Sequence, residues 1–265
     1  MILKDIIAYV EDIAPTNLKE DFDNVGLMVG SDKDNIKNIL VALDCTKNVI
    51  EEAKVLGVDL ILTHHPLIFR KPNAITDDTL LGSKIIELIK ANINVYSAHT
   101  NLDSSRNGIN HRIAKVLEYE TCEIMSKCSD DKECGIGRFL ELKKELSLED
   151  IINIFKKKLS IKNLRYVGKL KGKIRKVAII NGSGQDFFEK AKNLGAELII
   201  TGDTTYHFVS DYNEMGIKII DLGHFNSEWP IFTEIMKDLE VNIKSKNQDI
   251  NFYYSKTSKD PYNFI

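Results

Sequence analysis

The stretch Leu60-Ile61-Leu62-Thr63-His64-His65-Pro66 decides how the rest of the chain is interpreted. Its four apolar or β-branched residues are typical of a buried strand, and the proline ends that strand because it has no backbone N–H to donate. Two adjacent histidines therefore follow the strand directly, where their side chains can turn toward a common point. The plain alternative is that one histidine caps the loop and the other is solvated, since a single histidine is weak evidence for a site.

Two more apolar runs also end in residues of the kind that bind metals. Residues 93–98 lead into His99-Thr100-Asn101-Leu102-Asp103, and residues 217–223 lead into His224-Phe225-Asn226-Ser227-Glu228. Four of the six histidines thus follow predicted strands. Ligands of open α/β sheets bind outside the carboxyl ends of the strands, so this concentration favours a functional site.

The sequence contains an internal repeat. Residues 51–63, EEAKVLGVDLILT, match residues 189–201, EKAKNLGAELIIT, position for position, and residues 96–103 correspond to residues 220–228. In both halves a predicted strand, helix and strand follow one another, which implies parallel strands with helices on the faces of the sheet. Because a repeat is evidence about the whole fold, we predict an α/β protein of two similar lobes with a metal site between them.

The two predicted lobes span residues 1–126 and 127–265. The polar segment 127–132 marks the boundary between them. The first lobe contains the His-His-Pro motif and Asp103. The C-terminal part, from about residue 222 to residue 265, is expected to pack back on the first lobe.

Composition excludes several classes of protein. The chain of 265 residues is 43% hydrophobic and 28% charged, as in ordinary soluble globular proteins. A formal net charge of −3 gives no general attraction to nucleic acid or anionic membranes. No apolar run approaches the ~20 residues that span a bilayer, and the first ten residues are not a secretory signal. We therefore expect a cytoplasmic protein with no nucleic-acid or membrane partner.

The candidate ligands at the predicted strand ends are three imidazoles and two carboxylates: His64, His65, Asp103, His224 and Glu228. This mixture favours zinc, iron or manganese over calcium, which prefers oxygen ligands. A single catalytic zinc needs only three protein ligands, so the set predicts two divalent ions that share a carboxylate. Asp103 is the candidate bridge, although sequence position does not separate it from Glu228. A helix beginning near residue 226 would place His224 and Glu228 on one face.

The order of these motifs resembles that of the NIF-three-like dinuclear-metal family, also called the GTP cyclohydrolase I type 2 homologues. The resemblance covers nearly the whole chain and is carried by DNVGL (23–27), THHPL (63–67), HTNLD (99–103), TGD (201–203) with His207, and GH (223–224) with SE (227–228). It implies a two-metal site on the five candidate ligands and a ring-shaped homohexamer. It also implies supporting roles near the metals for His99 and His207, our candidate catalytic residues.

Three classes of function are compatible with this sequence. The first is a metal-dependent hydrolase of a nucleotide or related small molecule, and the family name suggests opening of the guanine ring of GTP. In that case His99 or His207 would donate a proton to the leaving group. The second is a metal-handling protein that stores, delivers or senses ions, and the third is an interaction scaffold with structural metals. The plain alternatives are that His99 binds a backbone carbonyl and that His207 is a surface residue.

Three further polar segments have structural interpretations. His111 lies on the polar face of the predicted helix 109–117 and is expected to be solvated. Asp44 follows a strand and is expected to cap the next helix. Asn181-Gly182-Ser183-Gly184 lies between a strand and a helix and could bind an anion there, but a two-glycine element is more typical of a tight turn.

Overall fold

The computed structural model describes residues 1–120, 122–128 and 132–265. The chain divides into two compact units, here called the first unit (Met1–Leu102 and Phe232–Lys259) and the second unit (Asp103–Ile231 and Asp260–Ile265). The predicted lobe boundary at residues 126 and 127 rests on the polar segment 127–132, whereas the division into units falls at residues 102 and 103, so that residues 103–126 belong to the second unit. Part of the predicted boundary segment, residues 129–131, lies outside the described residues.

Helices and strands alternate along most of the chain, which confirms the α/β class. In chain order, the α-helices among the described residues are α1 (Leu3–Ile13), α2 (Lys47–Leu56), α3 (Leu80–Lys90), α4 (Thr100–Ser104), α5 (Ile109–Val116), α6 (Leu148–Lys158), α7 (Phe188–Asn193), α8 (Tyr206–Glu214) and α9 (His224–Lys246). None of these helices is both long enough and apolar enough to cross a bilayer.

The first unit is built on a mixed five-stranded sheet with the strand order β1-β4-β3-β2-β11. Its strands are β1 (Gly26–Val29), β2 (Asn38–Ala42), β3 (Leu60–Thr63), β4 (Asn94–Ser97) and β11 (Asn251–Tyr254). Strands β11, β2, β3 and β4 run parallel to one another, and the edge strand β1 is antiparallel to β4. All four residues of β3 are buried, as expected for an apolar strand covered on both faces.

The register of this sheet brings three strand ends to one edge. Thr63 of β3 pairs with Ala42 of β2 on one side and with Ser97 of β4 on the other. The chain therefore leaves all three strands at the same level. The residues that follow, among them Asp44, His65 and His99, emerge side by side at the carboxyl edge of the sheet.

The second unit is built on a mixed six-stranded sheet with the strand order β5-β6-β8-β9-β10-β7. Its strands are β5 (Glu123–Lys127), β6 (Gly135–Leu146), β7 (Arg165–Val167), β8 (Ile174–Ile180), β9 (Leu198–Thr201) and β10 (Lys218–Asp221). Strands β8, β9 and β10 are parallel, with Thr201 paired to both Ile180 and Asp221. Here too the chain leaves three parallel strands at one level, immediately before the segments that begin at Asn181, Gly202 and Leu222.

Each unit has its own apolar core beneath its sheet. In the first unit Val49, Ile61 and Ile85 pack in one buried cluster with neighbouring strand and helix residues. In the second unit Ile180, Phe188 and Ile199 do the same. Full burial of one such side chain stabilises the fold by roughly 1.5–3 kcal/mol, and none of the candidate metal ligands belongs to either cluster. We therefore expect the fold to survive substitution of a ligand better than metal binding does.

The expectation that His111 is solvated is wrong. His111 is only 9% exposed, because α5 packs against β6 and β8 and its polar stripe is covered as well as its apolar one. Its Nδ1 lies 3.9 Å from Cys122 Sγ. Burial, followed by the positive charge of Arg138, lowers the pKa of His111 below its ordinary value.

Glu52 on α2 holds the segment that follows β11. Its carboxylate accepts hydrogen bonds from Ser255 Oγ (2.6 Å), Lys256 N (2.9 Å), Thr257 N (3.2 Å) and Thr257 Oγ1 (2.7 Å). Partial burial alone would raise the pKa of Glu52, but these hydrogen bonds outweigh burial and hold the pKa below its ordinary value of 4.5. The ionised carboxylate is therefore the form that stabilises this end of the first unit.

We expect Glu52→Gln to lower the free energy of unfolding at pH 7 by about 2 kcal/mol, since a charged acceptor of several hydrogen bonds is lost. Because the pKa is lowered on folding, this contribution is present above the ordinary carboxyl pKa and is lost as the pH falls through the folded value. Urea denaturation of both proteins at pH 7 and in acid measures the difference. Glu51→Gln is the matched control, since Glu51 is exposed and contacts Lys54 on the same helix. An equal effect of the two substitutions would contradict the assignment.

Candidate metal centre

Three histidines of the first unit converge at the carboxyl edge of its sheet. His64 and His65 follow β3, and His99 follows β4. One ring nitrogen of each lies within 4.8 Å of the corresponding nitrogens of the other two. The ring centroids are 5.0 Å apart for His64 and His65, 5.2 Å for His64 and His99, and 5.6 Å for His65 and His99. This spacing is close enough for the three imidazoles to share bound ions.

Each of the three imidazoles is held through its Nδ1 atom. The backbone carbonyl of Ala98 accepts from His64 Nδ1 at 2.8 Å, and Asp44 Oδ1 accepts from His65 Nδ1 at 2.8 Å. Both carboxylate oxygens of Asp23 lie 2.9 Å from His99 Nδ1. An oxygen acceptor fixes the proton on Nδ1, so Nε2 carries the lone pair that can bind a metal. The first unit thus presents three oriented imidazoles of the kind found around metal ions.

Asp23, from the DNVGL motif, is a buried carboxylate that orients His99. Besides His99 it accepts from Thr100 N at 3.1 Å and from Thr100 Oγ1 at 2.5 Å. Burial alone would raise the pKa of Asp23, but the hydrogen bonds from His99 and Thr100 outweigh burial and lower the pKa to about 2. The plain alternative for His99, a backbone carbonyl at Nδ1, is wrong, because this carboxylate takes that place.

Asp44 has a different role from the one the sequence suggests. It does not cap α2, because the N-cap is Thr46, whose side chain accepts from Val49 N at 3.2 Å. Asp44 instead orients His65. Asp23 and Asp44 are thus functional candidates that sequence reasoning missed as partners of the histidines.

The second unit brings together two carboxylates and one imidazole. Asp103 lies on α4, and His224 and Glu228 lie on the first turns of α9, which begins at His224. This confirms that His224 and Glu228 share a helix face, and His224 Nε2 lies 3.2 Å from Glu228 Oε2. Asp103 is 7% exposed and Glu228 only 2%. Buried carboxylates with an adjacent imidazole form a donor set that suits zinc, iron or manganese.

Asn181 links the two carboxylates of the second unit. Its Nδ2 donates to Asp103 Oδ1 at 2.9 Å and lies 3.3 Å from Glu228 Oε1. Asn181 is itself held, because its backbone N–H donates to Asn110 Oδ1 at 2.9 Å. In turn, Asn110 Nδ2 donates to the Asp103 carbonyl at 3.2 Å. The amide therefore fixes the spacing of the two acidic groups.

Comparison with known proteins agrees with this arrangement of motifs. The sequence model of Duf34/NIF3 (NGG1p interacting factor 3) matches residues 1–261. The chain belongs to the DUF34/NIF3 family. A relative from Clostridium perfringens, named GTP cyclohydrolase 1 type 2 homolog, is 59% identical over 265 residues, which is 100% of both chains. A protein of the same name from Clostridium acetobutylicum is 49% identical over 99% of this chain and 98% of its own.

Two solved structures have the same fold as this DUF34/NIF3 chain. A Bacillus cereus protein related to NIF3 superposes with a TM-score of 0.90 at 25% identity, covering 100% of this chain and 99% of its own. Reduced HcgD from Methanocaldococcus jannaschii has a TM-score of 0.82 at 30% identity, covering 97% of this chain and 98% of its own. The family resemblance that the motifs predict is therefore confirmed.

His207 of this DUF34/NIF3 chain, the second candidate catalytic residue, lies on α8. It is exposed on the first turn of α8, where its ring contacts that of Tyr206 at 5.4 Å between centroids. Its exposure agrees with the plain alternative that it is a surface residue. Among the described residues, the ligand-type clusters do not include His207. Its proposed role therefore rests on the resemblance alone.

Gly182 of the DUF34/NIF3 chain does more than permit the expected tight turn, because it also leaves room for the Glu228 side chain. Its φ of +57° is in the left-handed region, and a Cβ built on it would lie 2.6 Å from Glu228 Oε1. Only glycine leaves that oxygen in place. Gly182 and Asn181 thus belong to the acidic group, and the sequence signal for them is their place directly after β8.

We expect Gly182→Ala to lower the metal content of the purified protein, because the new methyl group would displace the Glu228 carboxylate. Gly195→Ala is the matched control: Gly195 also has positive φ, at +82°, but its Cβ would meet the flexible Lys176 side chain at an ordinary contact distance of 3.7 Å. Both substitutions should cost similar backbone strain, on the order of 1 kcal/mol. Mass-spectrometric metal analysis should show a loss in the first variant alone. Full metal content in Gly182→Ala would contradict this role.

Proposed function

We propose that the protein binds two divalent ions of zinc, iron or manganese and uses them to hydrolyse a nucleotide or a related small molecule. The proposed ligands are His64, His65, Asp103, His224 and Glu228. The observation that best supports the proposal is the group of three imidazoles whose Nδ1 atoms are all held by oxygen acceptors. Oxygen acceptors behind the imidazoles orient histidine ligands in metal sites and raise their basicity.

The proposal assigns the histidines of the first unit and the acidic group of the second unit to one dinuclear centre. It is supported by the internal repeat, since two related lobes would each contribute their strand ends. Asp103 is the proposed bridging carboxylate. The ring-shaped homohexamer and the cytoplasmic location belong to the same proposal, and both rest on the resemblance and the sequence.

The chain's own residues would bind and orient the substrate and deliver a proton. Divalent ions at such a site supply Lewis-acid activation and make an ionised water available near neutral pH. His99, held by Asp23, is the proposed proton donor to the leaving group, and His207 is a second candidate. The name of the Clostridium relatives, GTP cyclohydrolase 1 type 2 homolog, points to hydrolytic opening of the guanine ring of GTP as the first reaction to test.

The deciding experiment combines metal analysis with a search for turnover. Protein purified without added metal is analysed by mass spectrometry, then loaded with Zn²⁺, Mn²⁺ or Fe²⁺ and incubated with GTP and a panel of nucleotides and phosphoesters. We expect about two ions per chain and metal-dependent turnover of at least one compound. Full loading without turnover, but with reversible exchange at micromolar metal, would replace the hydrolase by a metal-handling protein. Loss of folding on metal removal would favour the structural scaffold.

A further inference from the structure

Two phenylalanines of the first unit are exposed side by side. Phe22 is 68% exposed and Phe69 is 43% exposed. Their ring centroids lie 6.4 Å apart with an interplanar angle of 62°, the edge-to-face geometry that aromatic pairs prefer. Phe22 directly precedes Asp23, and Phe69 lies in the loop after the His-His-Pro motif. A pair of large apolar rings left in contact with water calls for a functional explanation.

The phenylalanine pair contacts the histidine cluster through Phe69. The Phe69 ring lies 6.3 Å from the His99 ring, edge to face at 82°. His99 in turn contacts both His64 and His65. Phe22 is linked to His99 as well, because the next residue, Asp23, accepts a hydrogen bond from His99 Nδ1. The exposed rings therefore border the proposed proton donor.

Hydrogen bonds between the two loops hold the rings in position. Asn24 Nδ2 donates to the Ile68 carbonyl at 2.6 Å, which joins the loop of Phe22 to the loop of Phe69. Lys19 Nζ donates to the Asp23 carbonyl at 2.9 Å. A surface ordered in this way loses less conformational entropy when a ligand binds, which is the feature of a preformed binding site.

We propose that Phe22 and Phe69 form a platform on which the planar heterocyclic ring of the substrate stacks, next to His99. This inference rests on the proposed function. It adds the chemical class of the group that binds beside the histidine cluster. Aromatic side chains bind every nucleobase through its π-face, so the platform selects for a flat ring. Stacking there would bring the ring within reach of the proton donor. A second copy of the chain is the competing occupant of these two rings.

Direct binding of guanosine and of the fluorescent 2-aminopurine riboside tests the platform without requiring turnover. Stacking quenches the fluorescence of the riboside, and guanosine should compete with it. Phe22→Leu and Phe69→Leu keep apolar volume but remove the π-face, and each should weaken binding about tenfold. Phe22→Trp should retain binding. Phe208→Leu is the matched control, because Phe208 is a similarly exposed phenylalanine of the second unit in an edge-to-face pair with Phe188.

The outcomes separate this inference from the proposed function. Metal content and oligomeric state are measured for every protein, and riboside binding is measured with and without metal. Full metal content without riboside binding by the wild-type protein would overturn the platform and leave the metal site standing. A changed oligomeric state in the leucine variants, with unchanged riboside affinity, would assign the rings to an interface and overturn the platform. Riboside binding that depends on Phe22 and Phe69 would support it even if the wild-type protein held no metal.

Discussion

We expect His65→Ala to reduce the metal content of the loaded protein from about two divalent ions per chain to one or fewer. The Nδ1 atom of His65 is held by Asp44, so Nε2 is the atom available to a metal, and alanine offers no donor in its place. The apolar core does not include His65, so the protein should remain folded. Metal analysis after gel filtration, with circular dichroism to verify folding, measures both effects.

Two companion variants give this first prediction its controls. Asp44→Asn keeps His65 but removes the carboxylate behind it, and metal affinity should fall about 10- to 100-fold, the usual effect of losing such a partner. His207→Gln removes an exposed histidine and should leave the metal content unchanged. One ion or none in the wild-type protein in metal-replete buffer would contradict the dinuclear proposal. Loss of soluble protein in every ligand variant would instead favour a structural role for the metals.

The second large effect is expected in turnover. His99→Gln should retain both ions yet lower kcat for any identified substrate by about 100-fold or more, the usual contribution of a general acid. The ring of His99 is oriented by Asp23, whose lowered pKa keeps it ionised at neutral pH. Asp23→Asn should therefore reduce kcat as well, while leaving His99 in place.

The metal content and the turnover of the His99→Gln protein distinguish a proton donor from a metal ligand. Its ring nitrogen is close enough to those of His64 and His65 to be a metal ligand itself. A His99→Gln protein that loses metal would therefore move His99 from the proton donors to the ligands. Unchanged turnover in both His99→Gln and His207→Gln, with the metals retained, would remove both residues from the mechanism.

The strands, and the metal-binding types of side chain that follow them, were predictable because the signals for both lie in neighbouring residues. An apolar run such as residues 60–63 identifies a buried strand, and the histidines that follow it must lie at its end. The order of strands and helices then predicts parallel strands, and the structure has them in β2, β3 and β4 and in β8, β9 and β10, each within a mixed sheet. Both predictions need only neighbouring residues along the chain, and the structure confirms the α/β class.

The partners of the candidate ligands were not predictable, since they depend on contacts between distant segments. Asp23 and His99 are separated by 76 positions, and Asn181 and Asp103 by 78. Tertiary packing of separate strands and helices brings these groups together. The prediction that His111 is solvated was wrong for a related reason. Helical periodicity shows which face of a helix is polar, but not whether strands such as β6 will cover that face.

The parallel pairing of β11 with β2 has a consequence for synthesis on the ribosome. Asn251 Nδ2 donates to Asn38 Oδ1 across 213 positions of sequence, so one edge of β2 lacks its neighbour until residues 251–254 have been made. Most of the second unit, residues 103–231, emerges as one uninterrupted segment before β11 does. Strand edges promote aggregation for as long as their backbone groups have no neighbouring strand to pair with. The sheet whose carboxyl edge carries the three histidines is therefore completed after the sheet of the second unit, and β2 is its strand that stays unpaired on one side for longest.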